Sequence, residues 1–483
     1  MKIKIYVFAI FIALLGCTKG FEELQKNPNL PEEVNPGLLL PSIIFPAVNA
    51  HLYGSREISH ELMQYTSNNN SFTQVQRFIF TLGNSNSVWN GFYGRIGDIS
   101  VMQNLAKELG DVNYEAIAII MKSWSFSILT DVFIDVPYSE AGKGVDESNF
   151  TPIYDTQQTI YEKILLDLEK ANEMLEPSKG LTYGGDILFG GDVLRWKKFA
   201  NSLRLRLLMR VSFKPEANAA SKIKDLVENP SINPLFESNE DHAVYQYSGV
   251  LPDVFPYSTQ REFDFNGYVS SEFMIETLKG LNDPRLSVFY QPTKNSIAAG
   301  SPEYVGLPSG LPAGDSFEYN GGRDGQSRLN NNNFLLDATQ KGIIMTYSEV
   351  QFLLAEAAMR GMIDGEAQAY YENGVTSSME YWGTSVPEGY LSSGDAAWDG
   401  KEETLFLQKY LALFWGGFEA WFDYRRTGFP NISPGPANVN DDQIPVRLIY
   451  PTIEQSLNEA HYNEAAIRIG GDNINSKGWW ESF

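Results

Sequence analysis

The chain has 483 residues, 43% hydrophobic and 13% aromatic, enough for a substantial core in two or three average domains or one large one. Against 60 acidic residues stand 37 Lys and Arg, a formal charge of −23 at pH 7. A field of that sign repels phosphate backbones and argues against nucleic acid as a partner, while suiting a soluble surface displayed beside a charged cell envelope.

The opening stretch, MKIKIYVFAIFIALLGCTKG, reads as a leader. Two lysines precede an apolar run, Ile5 to Leu15, of about eleven residues, too short to span a bilayer and suited to a signal-peptide core. Leu14-Leu15-Gly16-Cys17 has the form of a bacterial lipobox, which predicts a signal peptide over 1–16 and acylation of Cys17. Cys17 is the only cysteine, so no intrachain disulfide can form. Several acyl chains would tether the protein stably to a membrane without its crossing.

Residues 17–40, rich in Pro, Asn and Glu, read as a lipidated extended arm, and 41–483 as a single folded domain. Helical periodicity starts at Pro41 and continues to Gln64, where the polar run Thr66 to Ser71 has loop character. Val88 to Leu109 reads as one long helix, with Trp89, Phe92, Ile96, Ile99, Met102 and Leu105 on one face. Tyr114 to Leu129 and Gln157 to Leu175 read as two more. Asp192 can cap the next, which reaches about Phe213 and turns Val193, Trp196, Phe199, Leu203 and Leu207 inward. Its cations, Arg195, Lys197, Lys198, Arg204, Arg206 and Arg210, scatter around the helix at about 100° per residue. That scatter predicts ion pairs, not an anion-binding stripe.

From Asn229 to Leu336, Pro, Gly, Ser and Asn accumulate, and helical periodicity is confined to Ser271 to Leu281. Loops this long in a compact domain usually have a task, so the segment reads as structured loops with a hairpin. Thr346 to Arg360 and Ala367 to Trp382, joined across Gly361 and Gly365, read as a tetratricopeptide-type hairpin. Leu405 onward reads as a ring-rich core helix carrying Phe406, Tyr410, Phe414, Phe418 and Trp421 on one face. Gly416 and Gly417 in its middle weaken a helix by about 1 kcal/mol each, which predicts close approach of another backbone or helix. Gly428 and Pro430 stop it. The fold class expected is mostly α: tetratricopeptide-like helical hairpins packed with a loop-rich, irregular second half.

Catalytic signatures are scarce. His51, His60, His242 and His461 lie far apart, and the sequence has no Gly-x-Ser-x-Gly elbow, Walker loop or Rossmann glycine pattern. Asp264-Phe265-Asn266-Gly267 is a fragment of a calcium loop without the downstream Glu. Glu356 and Glu419 could serve a helical glycosidase only if they faced each other across a sugar; ion pairing with arginines such as Arg425 and Arg426 is the expectation. No catalytic residue, metal ligand or cofactor is assigned. Loop-borne rings beside amides suit sugar binding better, because pyranose C–H faces stack on rings. The candidates are Tyr65, Asn68 and Phe72 in the first polar loop, Tyr257, Arg261, Phe265 and Tyr319 in the central loops, and Trp382 at the hairpin's end. Asn69, Gln74, Arg323, Tyr381 and Trp398 accompany them. A peptide would use the same loops through backbone hydrogen bonds.

Six segments in chain order carry a resemblance: FEELQKNPNLPEEV, ILTDVFIDVPYSEA, RWKKFANSLRLRLLMRVS, MTYSEVQFLLAEAAMRG, GGFEAWFDYRRTGFP and IPVRLIYP. Together they resemble the SusD/RagB family of outer-membrane nutrient-binding lipoproteins, most closely its SusD-like branch. The resemblance implies a helical superhelix and a cell-surface protein lipid-anchored to the outer membrane through Cys17. It further implies no enzymatic activity, capture of an oligosaccharide or similar nutrient, and a lid role on a SusC-type TonB-dependent transporter. Alternatives are the same lid with peptide cargo, a helical glycosidase, or a protein-binding scaffold.

Overall fold

A computed structural model describes residues 34–70, 74–144 and 148–481. Cys17 and Phe72 lie outside the described residues, as do the leader and most of the arm. Helix α1, Pro36–Gly54, begins five residues before the expected start at Pro41. Prolines at 36, 41 and 46 could each open a helix, but the Asn35 side chain accepts a hydrogen bond from the Leu38 N–H, and that cap selects Pro36. The helix then widens into a π turn, Ser55–Ser59, before a last turn at His60–Leu62.

The expected helix 88–109 is two: α2, Leu82–Phe92, opened by a reciprocal Thr81/Asn84 cap, and α3, Ile96–Leu109, separated by a 3-10 turn at Tyr93–Arg95. Helix α4, Val112–Phe133, is buried on nearly every side, so it carries no amphipathic stripe. It and Pro36–Leu62 are long and apolar enough to cross a membrane, yet 94% of the apolar window of α4 is covered by protein. Helices α5, Gln157–Met174, α6, Val193–Arg210, and α7, Ala219–Glu228, follow, with Thr156 and Asp192 capping the first two. Each of α4 to α7 packs on its predecessor, and α1 lies across α2 and α3. This is the expected layering of helical hairpins.

The loop-rich half contains helix α8, Glu272–Gly280, and short strands. Strands β1, Thr66–Asn68, β3, Tyr268–Ser270, β5, Arg328–Leu329, and β4, Tyr290–Gln291, form an antiparallel sheet in the order β1-β3-β5-β4, with Ser67 opposite Val269. Part of the polar run read as loop is therefore a buried strand. Strands of two or three residues are too short to show alternation. Strands β2, Ala243–Gln246, and β6, Lys341–Met345, pair separately.

Helices α9, Tyr347–Met359, and α10, Ala367–Tyr381, form the expected hairpin. The ring-rich helix, by contrast, is broken into α11, Glu402–Ala412, and α12, Glu419–Thr427. Trp415 and Gly417 take φ of 62° and 68°, which a helix cannot contain. The His51 ring fills the place a Cβ on Gly417 would take, 1.9 Å from Nε2, and the Phe418 ring fills that of Gly54. What closes on Gly417 is thus the His51 side chain, not a backbone, and Gly416 meets only Leu413 of its own turn. Helix α13, Glu459–Arg468, closes the set.

A buried ionic network joins these layers. Arg206 donates to both oxygens of Glu349 at 2.6 Å, Arg210 pairs with Asp131 at 2.5 Å, and both arginines reach Glu419. Arg426 grips Glu356 at 2.5 and 2.6 Å, whereas Arg425 pairs with Glu481. Lys198 and Arg204 find Asp241 and Glu169 at 2.8 and 2.9 Å. Four of the six cations of α6 are thus ion-paired, as their scatter predicts. The partners of Glu419 are Arg206 and Arg210, not Arg425 or Arg426.

Candidate ligand-binding crevice

Where α1 passes into its π turn, the extra residue per turn re-aims the side chains that follow, and Glu57 faces a crevice of about 200 Å³. The other walls are Tyr53, Gln74, Val75, Ile79, Thr81 and Asn84. The Thr81/Asn84 cap holds its own amide in place: Asn84 Oδ1 accepts from the Thr81 N–H at 2.8 Å and the Thr81 hydroxyl at 2.9 Å. Burial pushes the Tyr53 phenol up, partly offset by Ser87 and Asn84, so it stays neutral and able to donate.

Behind Glu57 lies Arg56, only 1% exposed. Arg56 donates to Glu57 Oε1 at 2.8 Å and to Gln260 Oε1 at 3.3 Å. Its guanidinium lies 3.2 Å from the ring centre of Tyr268, 4.7 Å from that of Tyr257 and 5.5 Å from that of Phe265. The Tyr268 hydroxyl donates to Glu57 Oε2 at 2.9 Å. Burial raises the Tyr268 phenol against the pull of Arg56, which keeps the proton on the donor.

The expected ligand residues divide by exposure. Tyr65 is buried, stacked on Tyr410 at 4.3 Å, and donates to the Tyr410 carbonyl at 2.5 Å. Asn68 is buried, its N–H held by Gln76 Oε1 at 3.0 Å and its amide near Glu61. Tyr257 and Phe265 are buried around Arg56. As placed here these four serve packing, because the interior and not a ligand occupies their faces and edges. Arg261 is exposed and paired with Asp264 of the calcium-loop fragment at 2.6 Å. Tyr319 is half-buried and stands near Glu272 and Glu276. Trp382 is half-buried, edge-on to Phe289 at 5.1 Å, away from the crevice residues. Of the accompanying residues Gln74 alone lines the crevice.

Tyr53, Glu57, Thr81 and Asn84 were not singled out by sequence. The one signal available was a charged pair, Arg56-Glu57, inside an otherwise apolar helix. A wider cleft of about 660 Å³ runs between Phe273, Glu272 and Glu276 on one side and Pro434 and Pro436 on the other. Gln64, Thr277, Ser309, Asn431 and Ser433 also line it, so it offers donors of its own. The smaller crevice by Glu57 combines a carboxylate, amides and hydroxyls over the apolar Val75 and Ile79. Among the described residues Glu57 is the only acid lining it, one member of the pair that glycoside hydrolysis needs.

Residues 28–451 match the model of a family described as SusD-like, starch-binding and associating with the outer membrane. The chain belongs to the SusD-like family. Among solved SusD-like structures, a SusD homologue from Bacteroides fragilis NCTC 9343 is 25% identical, with a TM-score of 0.80 over 92% of this chain and 100% of that one. A SusD homologue from Bacteroides uniformis ATCC 8492 gives 25% identity and 0.80 over 93% and 99%. A structure named as a chitin-binding protein gives 29% identity and 0.80 over 93% and 100%. The comparison with curated proteins gave no match. SusD-like membership accounts for the helical layers and for an association with the outer membrane.

Proposed function

We propose that this SusD-like protein captures an oligosaccharide at the cell surface and delivers it, as a lid, to a SusC-type TonB-dependent transporter. The observation that carries the reading is the crevice at Glu57, where acceptor, amide and hydroxyl groups converge over apolar side chains as polyhydroxylated ligands require. The chitin-binding relative and the starch-binding description of the family support a glycan as cargo. The lipobox at Cys17 supports lipid anchoring. Binding without bond chemistry fits Glu356 and Glu419, both buried in ion pairs with arginines. Arg261, Tyr319 and Trp382 remain candidate contacts beyond the crevice, reached by a longer ligand, and Phe72 remains a candidate contact.

Calorimetric titration of the acylated chain in detergent with maltohexaose, chitohexaose and a peptide pool tests the reading. Saturable heat with a glycan, weakened at least tenfold by Tyr53→Ala, is expected. Heat from peptides alone would change the cargo. Silence towards all three overturns the capture role at this crevice.

A further inference from the structure

Glu57 has one donor on each oxygen, Arg56 on Oε1 at 2.8 Å and Tyr268 on Oε2 at 2.9 Å. An ionised carboxylate has about four acceptor positions, so each oxygen keeps one in reserve. The Glu57 side chain is 17% exposed and lines the crevice, so those positions face a ligand. The charge of Glu57 is matched at once by a guanidinium that is itself sealed from water. Tyr268, Tyr257 and Phe265 enclose that guanidinium, and its Nε has no hydrogen-bond partner. A paired carboxylate presents two acceptors side by side without a net charge. An unpaired one in the same place would favour an ammonium group instead.

Resting on the glycan reading of this crevice, we infer that Arg56 is a positioning residue that sets its specificity. It holds and neutralises Glu57 so that the crevice takes a neutral sugar through two adjacent free hydroxyls and disfavours amino sugars bearing a free ammonium. Arg56 touches no ligand. It acts through Glu57.

The test titrates the full acylated chain and its variants with maltohexaose, chitohexaose and fully de-N-acetylated chitohexaose, whose amines are protonated below pH 6. The unaltered protein is expected to bind a neutral hexaose at least tenfold more tightly than the ammonium-bearing one. Arg56→Met should reverse that ratio, Arg56→Lys should restore the neutral preference, and Glu57→Gln should weaken neutral binding tenfold without any gain for the ammonium form. In the Glu57→Gln background, Arg56→Met should leave the ratio unmoved. If Arg56→Met does not fold, Tyr268→Phe, which removes the second donor, should shift the ratio in the same direction by a smaller factor. Arg56→Met, or Tyr268→Phe in its place, weakening all three probes in equal proportion overturns the inference while the capture reading stands. An unaltered protein that binds none of the three overturns both.

Discussion

Glu419 shows how single residues are committed in this molecule. It is buried between Arg206 and Arg210, which also pair with Glu349 and Asp131 respectively. Burial opposes its charge, yet the two arginines hold its carboxyl below the usual carboxylate range. Such a network adds little net stability over an apolar core of equal volume, but removing one partner strands the others. Glu419→Ala is therefore expected to lower the unfolding free energy by about 3–5 kcal/mol, read from the urea midpoint, with glycan affinity per folded molecule unchanged. The same scale explains Tyr65 and Tyr257. A tyrosine in a polar or loop-rich stretch has the same letters whether its ring meets a sugar or another ring, and here Tyr410 and Trp415 supply the other ring.

Among the elements, the broken helix between α11 and α12 is the most informative. The chain turns left-handed at Trp415 and Gly417, and the His51 ring fills the space a side chain on Gly417 would need. A methyl at Gly417 meets both a disfavoured φ and a filled space. Gly417→Ala is expected to destabilise the protein by about 2–5 kcal/mol, visible as a lower thermal midpoint. Truncating His51 in the Gly417→Ala background should recover part of that loss, because the two effects share one contact. The π turn in α1 works on the same scale. Within it Arg56 is buried and Glu57 lines the crevice.

For the molecule as a whole, two buried histidines, His51 and His60, and the half-buried His242 tie stability to pH. Burial holds His51 and His242 down at about 4, and His60 well below its ordinary range with help from Arg56; the His60 ring also accepts a hydrogen bond from the Trp415 N–H at 3.3 Å. Their folded values lie below the unfolded value near 6.5, so the unfolded chain binds more protons in between. Their contribution is complete above about pH 6.5 and fades as pH falls toward 4. A fully buried histidine such as His51 should remove about 2 kcal/mol by pH 5, above the range where ordinary carboxylates titrate. Urea midpoints that fall between pH 7 and 5 are expected; a flat profile would mean that these rings are accessible and charged in the native state.

Most helix positions, the cap at Asp192, the α9–α10 hairpin and the family were legible in the linear chain, because each depends on periodicity or on short segments of sequence. The lipobox is equally local. The crevice was not legible: Tyr53 and Glu57 meet Gln74, Thr81 and Asn84 through the π turn, and Tyr268 reaches Glu57 from a separation of 211 residues. The same holds for the break at Gly417, set by a histidine far upstream, and for which rings lie inside. Local pattern specifies the backbone's small menu of conformations. Which side chain faces a ligand, and which faces another ring, depends on contacts that close only when distant segments pack.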